Sequence, residues 1–181
     1  MYSVYWQDPI LADYFGVEPA AFKPAAAILA YALCDYRLMF GEISDPFAQM
    51  LSNAAGMAYM GTTTPPPELL EALSPVLHVT KDTPPTFLWA TATDELVPVE
   101  NTTRMATALA QAGVPFELHV FEQGPHGLSL ADQASTGYTI FLNADAAQWV
   151  DLAGAWLHKR FALPLETTAP WQELLAAARK E

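Results

Sequence analysis

The sequence has very little of what disulfide scaffolds, metal centres and phosphate-binding loops require. Its 181 residues include one cysteine, Cys34, so an internal disulfide framework is excluded. The four histidines show no ligand spacing typical of a zinc site. The nine glycines nowhere form the G-x-G-x-x-G pattern of a dinucleotide loop. We therefore expect no metal and no cofactor, and we expect Cys34, which follows an apolar run, to be a buried and inert thiol.

Basic residues are also scarce. Eight lysines and arginines stand against twenty acidic residues, which gives a formal net charge of −12. A surface of that sign repels phosphate backbones and anionic lipid, so we expect neither a nucleic-acid nor a membrane partner. No segment approaches the roughly 20 apolar residues of a membrane span. The first residues lack the basic and apolar regions of a secretory signal, and we therefore expect a cytoplasmic location.

What the sequence does contain is an alternation of strand and helix patterns. Two apolar runs, residues 25–33 and 86–92, predict buried strands, and the alternating run 116–121 predicts a strand near a sheet edge. Between and after them, residues 99–112 and 146–161 fit helices, the first opened by Pro98 and stopped by Gly113. This order predicts an α/β fold of parallel strands joined by right-handed crossovers.

The chain divides into a larger and a smaller part. Residues 1–161 predict a partial α/β domain, and residues 162–181 predict an amphipathic helical tail. Residues 44–61, rich in methionine and aromatic side chains, predict a helical insertion. Because 52% of the chain is hydrophobic, three strands make a thin sheet. We therefore expect further strands to belong beside residues 25–33.

Two ionisable side chains follow neighbouring predicted strands. Asp94 comes just after residues 86–92, and His126 comes just after residues 116–121. Functional residues of parallel sheets collect beyond the carboxyl ends of the strands, so we expect this pair at one edge of the sheet. A buried carboxylate orients an imidazole and stabilises its protonated form, which acyl transfer needs from a general base. Structural alternatives remain open: Asp94 as a capping residue and His126 as a surface turn residue.

A resemblance adds to this interpretation. It rests on TPPTFLW at 83–89, DELVPV at 94–99, AGVPFELHVF at 112–121 and GPHGL at 124–128. Together these segments closely resemble the C-terminal portion of α/β-hydrolase esterases related to acetyl esterases and acetylxylan esterases. The similarity covers roughly residues 23–161. It implies that the fold is the C-terminal part of an α/β-hydrolase, with Asp94 as the triad acid and His126 as the general base.

The same resemblance implies a nucleophile that the sequence does not contain. The family places a serine in a G-x-S-x-G elbow before the first of these strands, and Ser3 lacks the flanking glycines. Residues 1–16 resemble the helix after the elbow, so we expect the serine just before Met1. The HGG-type oxyanion loop is absent too. Residues 127–131, GLSLA, imitate an elbow, but no strand leads into them, and we do not expect Ser129 to be the nucleophile.

These observations lead to one main hypothesis with two alternatives. The main hypothesis is a serine carboxylesterase for small acyl esters, among them acetylated sugars, in which this chain supplies Asp94 and His126 and is inactive alone. One alternative is a truncated hydrolase that acts as a binding or structural module. The other is a prolyl oligopeptidase-like peptidase, which shares the fold and the triad order. An open apolar edge at residues 25–33 also predicts self-association or a complementary N-terminal fragment as partner.

Overall fold

The computed structural model describes residues 2–40, 46–162 and 171–172. Its strands are β1 (Ala27–Ala30), β2 (Thr86–Thr91) and β3 (Phe116–Phe121). Seven α-helices accompany them in the described part of the chain: α1 (Tyr2–Tyr5), α2 (Pro9–Phe15), α3 (Pro46–Met60), α4 (Pro67–Leu73), α5 (Glu100–Gln111), α6 (Ala144–Ala147) and α7 (Trp149–Phe161). Short 3-10 turns lie at Pro19–Phe22, Tyr36–Leu38, Pro75–Leu77 and Thr139–Phe141.

The three strands form one parallel sheet in the order β1-β2-β3. Ala27 is in register with Thr86, and Thr86 with Phe116, so the carboxyl ends of the strands come out at one edge. Every residue of β2 is buried, whereas β3 is half-exposed at the sheet edge as predicted, although its exposed residues are the apolar Phe116 and Val120. The predicted α/β fold with parallel strands is confirmed.

β1 is shorter than the predicted range of 25–33. Its last ladder bond runs from the Tyr31 N–H to the Trp89 carbonyl at 2.7 Å. Tyr31 itself has a φ of 39°, which lies in the left-handed region, and a strand cannot continue through that conformation. Ile28 is 41% exposed, so the described residues leave β1 partly uncovered. Further strands beside β1 remain a prediction.

Helices cover the sheet on both faces because β2 alternates its side chains between them. Phe87 and Trp89 pack into a cluster with Trp156 of α7, and Leu88 packs on the other face against Met105 of α5. These five side chains are at most 1% exposed. The buried middle strand therefore anchors both layers and holds the ends of its neighbours in place.

The helix boundaries differ slightly from the predicted ones. α5 begins at Glu100, two residues after Pro98, and ends before Gly113, whose φ of 69° makes it the left-handed stop. The helix predicted at 146–161 is two helices, α6 and α7. Within the predicted insertion α3 is helical from Pro46, while residues 44–45 lie outside the described residues. The same holds for the predicted tail at 163–170 and 173–181.

Candidate active site

The turn after β2 holds Asp94 in a buried position. Its side chain is fully buried, and Oδ1 accepts hydrogen bonds from the backbone N–H groups of Leu96 at 3.0 Å and Val97 at 2.9 Å. Asp94 therefore does cap a turn, but not helix α5, which begins later. Since this cap uses Oδ1 alone, the second oxygen, Oδ2, is available for another partner.

The loop after β3 is fastened to the Asp94 turn through Gly124. The Gly124 carbonyl accepts from the Thr91 hydroxyl at 2.7 Å and from the Thr93 hydroxyl at 3.3 Å. Its N–H donates to Thr93 Oγ1 at 2.9 Å. Gly124 has a φ of 147°, and a Cβ there would lie 2.8 Å from carbon atoms of both Leu128 and Thr91. Only glycine fits this close approach, which brings His126 next to Asp94.

His126 and Asp94 are hydrogen-bonded. The Nδ1–H of His126 donates to Asp94 Oδ2 at 2.8 Å. With Nδ1 as donor, the neutral ring carries its lone pair on Nε2, the atom that can accept a proton. No hydrogen bond among the described residues involves Nε2, and the ring is 28% exposed. The structure thus brings together the two residues that the sequence predicts as a pair.

A cavity of about 230 Å³ opens beside this imidazole. Its apolar lining comes from both sides of the gap between helix α3 and the strand-end loops. Its polar lining, apart from His126, consists of Thr93 and Glu95. The apolar residues are Phe47, Leu51, Leu96 and Pro125. A small uncharged group fits this space beside a proton acceptor. Across residues 2–40, 46–162 and 171–172, no cluster of three or more His, Cys, Asp or Glu side chains is arranged to hold a metal.

The serine that imitates an elbow has a different environment. Ser129 is exposed and has a φ of 54°. Its backbone N–H donates to the Tyr31 hydroxyl at 3.2 Å, and its carbonyl accepts from the Trp149 indole at 2.8 Å. Ser129 lies in the loop that follows β3 and carries His126, which we call the histidine loop. In the described part of the chain, no strand leads directly into Ser129. Ser3, the other early candidate, is a buried residue of helix α1.

The other reactive side chains lie away from the cavity. Cys34 is 2% exposed, and burial raises the pKa of its thiol to about 12, which fits the predicted inert thiol. His119 contacts Glu117 at 3.2 Å on β3. His78 is bonded to the Glu71 carbonyl at 3.0 Å.

Two residues after the carboxyl end of β1, Tyr31 and Asp35, were not predicted. Asp35 is fully buried and accepts hydrogen bonds at 2.8 Å from Arg37 and Arg104. The Arg37 hydrogen bond, helped by Arg104, lowers the pKa of Asp35 to about 2. Tyr31 places its ring 4.9 Å from that of His126. The strand-end rule that selects Asp94 and His126 also applies to the carboxyl end of the first strand, and it is the signal that points to this region.

Comparison with known proteins gives these contacts a family context. The profile of the prolyl oligopeptidase family matches residues 26–143. Among solved structures, a carboxylesterase from Lactobacillus plantarum WCFS1 is 28% identical with a TM-score of 0.65, over 91% of this chain and 55% of that one. An acetyl ester-xyloside bifunctional hydrolase from Caldicellulosiruptor lactoaceticus is 35% identical with a TM-score of 0.59, over 76% of this chain and 43% of that one.

A curated relative matches a shorter stretch. Endo-1,4-beta-xylanase B of Butyrivibrio fibrisolvens is 41% identical over 76 residues, which is 41% of this chain and 12% of that protein. The chain therefore spans about half the length of the two solved structures above and a small part of this relative. The fold shared with the solved structures is that of the α/β-hydrolases, as the sequence predicts. Among the helices that the structure describes, none is both long and apolar enough to cross a bilayer.

Proposed function

The chain belongs to the prolyl oligopeptidase family, and from that membership we propose that it supplies the acid and the general base of a serine-type ester hydrolase. Asp94 is the acid and His126 is the base. The observation that carries the proposal is the 2.8 Å hydrogen bond from His126 to a fully buried Asp94, with the ring facing a cavity. A buried carboxylate with one oxygen committed to an imidazole is what base catalysis by histidine requires.

The chemistry follows from the tautomer. A serine hydroxyl attacks the ester carbonyl while its proton passes to Nε2 of His126. The resulting imidazolium then gives that proton to the oxygen of the departing alcohol, which leaves an acyl-serine. Water repeats the sequence, releasing the carboxylic acid and returning the serine. Throughout, Asp94 stays ionised, holds the Nδ1–H and stabilises the charged ring.

The serine in this proposal is contributed from outside the 181 residues. No G-x-S-x-G occurs in the sequence. Along the chain of an α/β-hydrolase, the nucleophile comes first, then the acid and then the histidine. Among the described residues, no strand pairs with the outer edge of β1, and Ile28 of that strand is 41% exposed. We place the serine-bearing segment beside that edge, where its strands would extend the sheet. A complementary N-terminal segment is thus the partner that we propose.

Small, uncharged acyl esters are the proposed substrates, and acetylated sugars are the class we favour. The cavity beside His126 is small and largely apolar, which suits an acetyl group. Glu95 on its wall disfavours an anionic substrate. The solved structures that the chain resembles include a carboxylesterase and an acetyl ester-xyloside hydrolase.

The test compares the chain alone with a completed enzyme. The completed enzyme is a fusion of these 181 residues to the part of the Lactobacillus plantarum carboxylesterase that this chain does not cover, which should contain the serine. With p-nitrophenyl acetate, the chain alone should show no turnover above buffer, and the fusion should hydrolyse the ester. His126→Ala should remove that activity, because the general base is lost. His158→Ala, at an exposed position late in α7, is the matched control and should leave it unchanged.

Three results would contradict the proposal in different ways. Turnover by the chain alone that His126→Ala abolishes would show that the nucleophile lies within it. A folded, active fusion indifferent to His126→Ala would remove the role of the histidine. Faster hydrolysis of a matched p-nitroanilide than of the ester would assign the site to peptides.

A further inference from the structure

Backbone strain in this protein is concentrated at one place. Among the described residues, the non-glycine positions with positive φ are Tyr31 at 39°, Ser129 at 54° and Ala131 at 59°. The first ends β1, and the other two lie in the loop that follows His126, about a hundred residues later in the chain. Residues other than glycine keep such conformations only where their surroundings hold them, and such positions cluster at functional sites.

The surroundings that hold this loop are three aromatic side chains, Tyr31, Trp89 and Trp149, which we call the aromatic clamp. Trp89 is fully buried in the centre of β2. Tyr31 meets it edge to face with ring centroids 5.0 Å apart, and Trp149 stacks on it at 5.3 Å and 18°. Trp89 therefore fixes the places of the other two rings.

Tyr31 and Trp149, the outer members of the aromatic clamp, both form hydrogen bonds with the same residue of the histidine loop. The Tyr31 hydroxyl accepts the backbone N–H of Ser129 at 3.2 Å. The Trp149 indole donates to the Ser129 carbonyl at 2.8 Å. Ser129 is thereby held at its N–H and its C=O, from the end of β1 and from the start of α7. A tyrosine hydroxyl is needed on one side because a backbone N–H requires an acceptor.

Tyr31 also contacts the imidazole directly. Its ring centroid lies 4.9 Å from that of His126, with the two planes 74° apart. The same imidazole donates its Nδ1–H to Asp94. The imidazole is thus in contact with both a carboxylate and a phenol ring. These two contacts restrict the rotation of the ring and with it the direction in which Nε2 points.

We propose that Tyr31 is a positioning residue for His126, acting through its ring on the imidazole and through its hydroxyl on Ser129. The inference rests on the proposed function, since positioning matters only if His126 is the base. Its content is nonetheless a statement about geometry. Without the ring, His126 should sample orientations in which the bond to Asp94 opens. Without the hydroxyl, the Ser129 N–H should lose its acceptor.

The test is proton NMR of the 181-residue chain, which reads this geometry without any substrate. A histidine Nδ1 proton bonded to a carboxylate gives a far-downfield signal while it is protected from exchange. We expect that signal in the wild-type chain and its loss in Tyr31→Ala. In Tyr31→Phe the signal should persist, because the ring remains, while the Ser129 amide exchanges about fivefold faster through the loss of one hydrogen bond. Trp149→Phe should also speed that exchange, by removing the indole donor.

Controls separate positioning from general destabilisation. The amide of Leu88, inside the buried middle strand, should keep its wild-type protection in every variant. Tyr138→Ala removes a tyrosine that is 73% exposed and should change neither signal. If Tyr31→Ala does not fold, Tyr31→Leu replaces it, since leucine fills part of the space without an aromatic face.

The outcomes either support or overturn the role. A variant without the Tyr31 ring that keeps Leu88 protected and retains the downfield signal overturns it. So does Tyr31→Phe with unchanged exchange at Ser129. Equal loss of protection at Leu88 and Ser129 shows that Tyr31 is structural only, which also overturns it. If these NMR results hold while the completed enzyme is inactive, the proposed function fails and the inference about geometry stands.

Discussion

Two buried carboxylates, each shortly after one of two neighbouring strands, have different kinds of partner. Asp35 lies shortly after β1 and Asp94 shortly after β2, and both side chains are fully buried. Asp35 is bound by two guanidinium groups, those of Arg37 and Arg104, each at 2.8 Å. Asp94 is bound by two backbone N–H groups and the His126 imidazole.

The partner decides what each carboxylate can do. Arginine stays protonated at any ordinary pH, so its pairs with Asp35 are permanent and the pKa of that carboxyl falls to about 2. Histidine, unlike arginine, can accept and release a proton during a reaction, so the partner of Asp94 can change its charge. Asp35 links the segment after β1 to helix α5 through Arg104. The partners of the first carboxylate therefore suit a structural role, and the partner of the second suits the proton transfer that we propose.

Removing the charge of Asp94 should give the largest effect, on rate and not on folding. In the completed enzyme, Asp94→Asn should lower kcat about 10⁴-fold, because an amide no longer holds the tautomer or stabilises the imidazolium. Its free energy of unfolding should change by about 1 kcal/mol, since the turn keeps an acceptor for Leu96 and Val97. Steady-state kinetics and urea unfolding measure the two. Asp13→Asn, on exposed α2, is the control. A loss confined to stability would erase the contrast with Asp35.

The mirror experiment at Asp35 should act on folding. Asp35→Asn leaves two arginines without a charged partner and should lower the free energy of unfolding by about 2 to 3 kcal/mol. The value is at the low end for a broken buried pair because Arg37 and Arg104 are 39% and 47% exposed. Urea unfolding at neutral pH measures it. In the completed enzyme, at saturating substrate and below the unfolding range, kcat should stay within about twofold. A larger fall would mean that Asp35 also serves the reaction.

The pH dependence of stability provides a finer test of the same carboxylate. The pKa of Asp35 is about 2 in the folded protein, below the unfolded value of roughly 3.9. Its contribution to stability is therefore complete above about pH 4 and disappears as the pH falls toward 2. Urea unfolding between pH 5 and pH 2 should show a steeper loss of stability in the wild type than in Asp35→Asn. Parallel curves would contradict the assignment.

The fastening of the histidine loop should respond to a single methyl group. Gly124→Ala places a Cβ against Leu128 and Thr91 and should cost about 2 kcal/mol of stability. Because the loop carries His126, the completed enzyme should also lose roughly 10-fold in kcat. Gly137→Ala, where a Cβ meets nothing within 4 Å, is the matched control for both measurements. Unchanged kinetics in Gly124→Ala would show that the Asp94–His126 pair tolerates displacement of the loop.

Much of the site follows from local patterns in the sequence. A few consecutive residues are enough to recognise the buried run that forms β2 and the alternating run that forms β3. Asp94 follows the first strand closely, and His126 follows the second. In a parallel sheet the ends of adjacent strands meet at one edge, so the order of elements already predicts that Asp94 and His126 lie near each other. The boundary of β1 was not predictable in this way, because the left-handed Tyr31 ends it without a proline or glycine.

What the amino-acid order determined on its own is the parallel α/β arrangement and the pairing of Asp94 with His126. What only the tertiary structure decided is which contacts hold them. Tyr31 meets Ser129 across 98 positions, and Asp35 meets Arg104 across 69. No local pattern encodes such contacts, because they depend on the packing of side chains around β2 and not on the period of any one element.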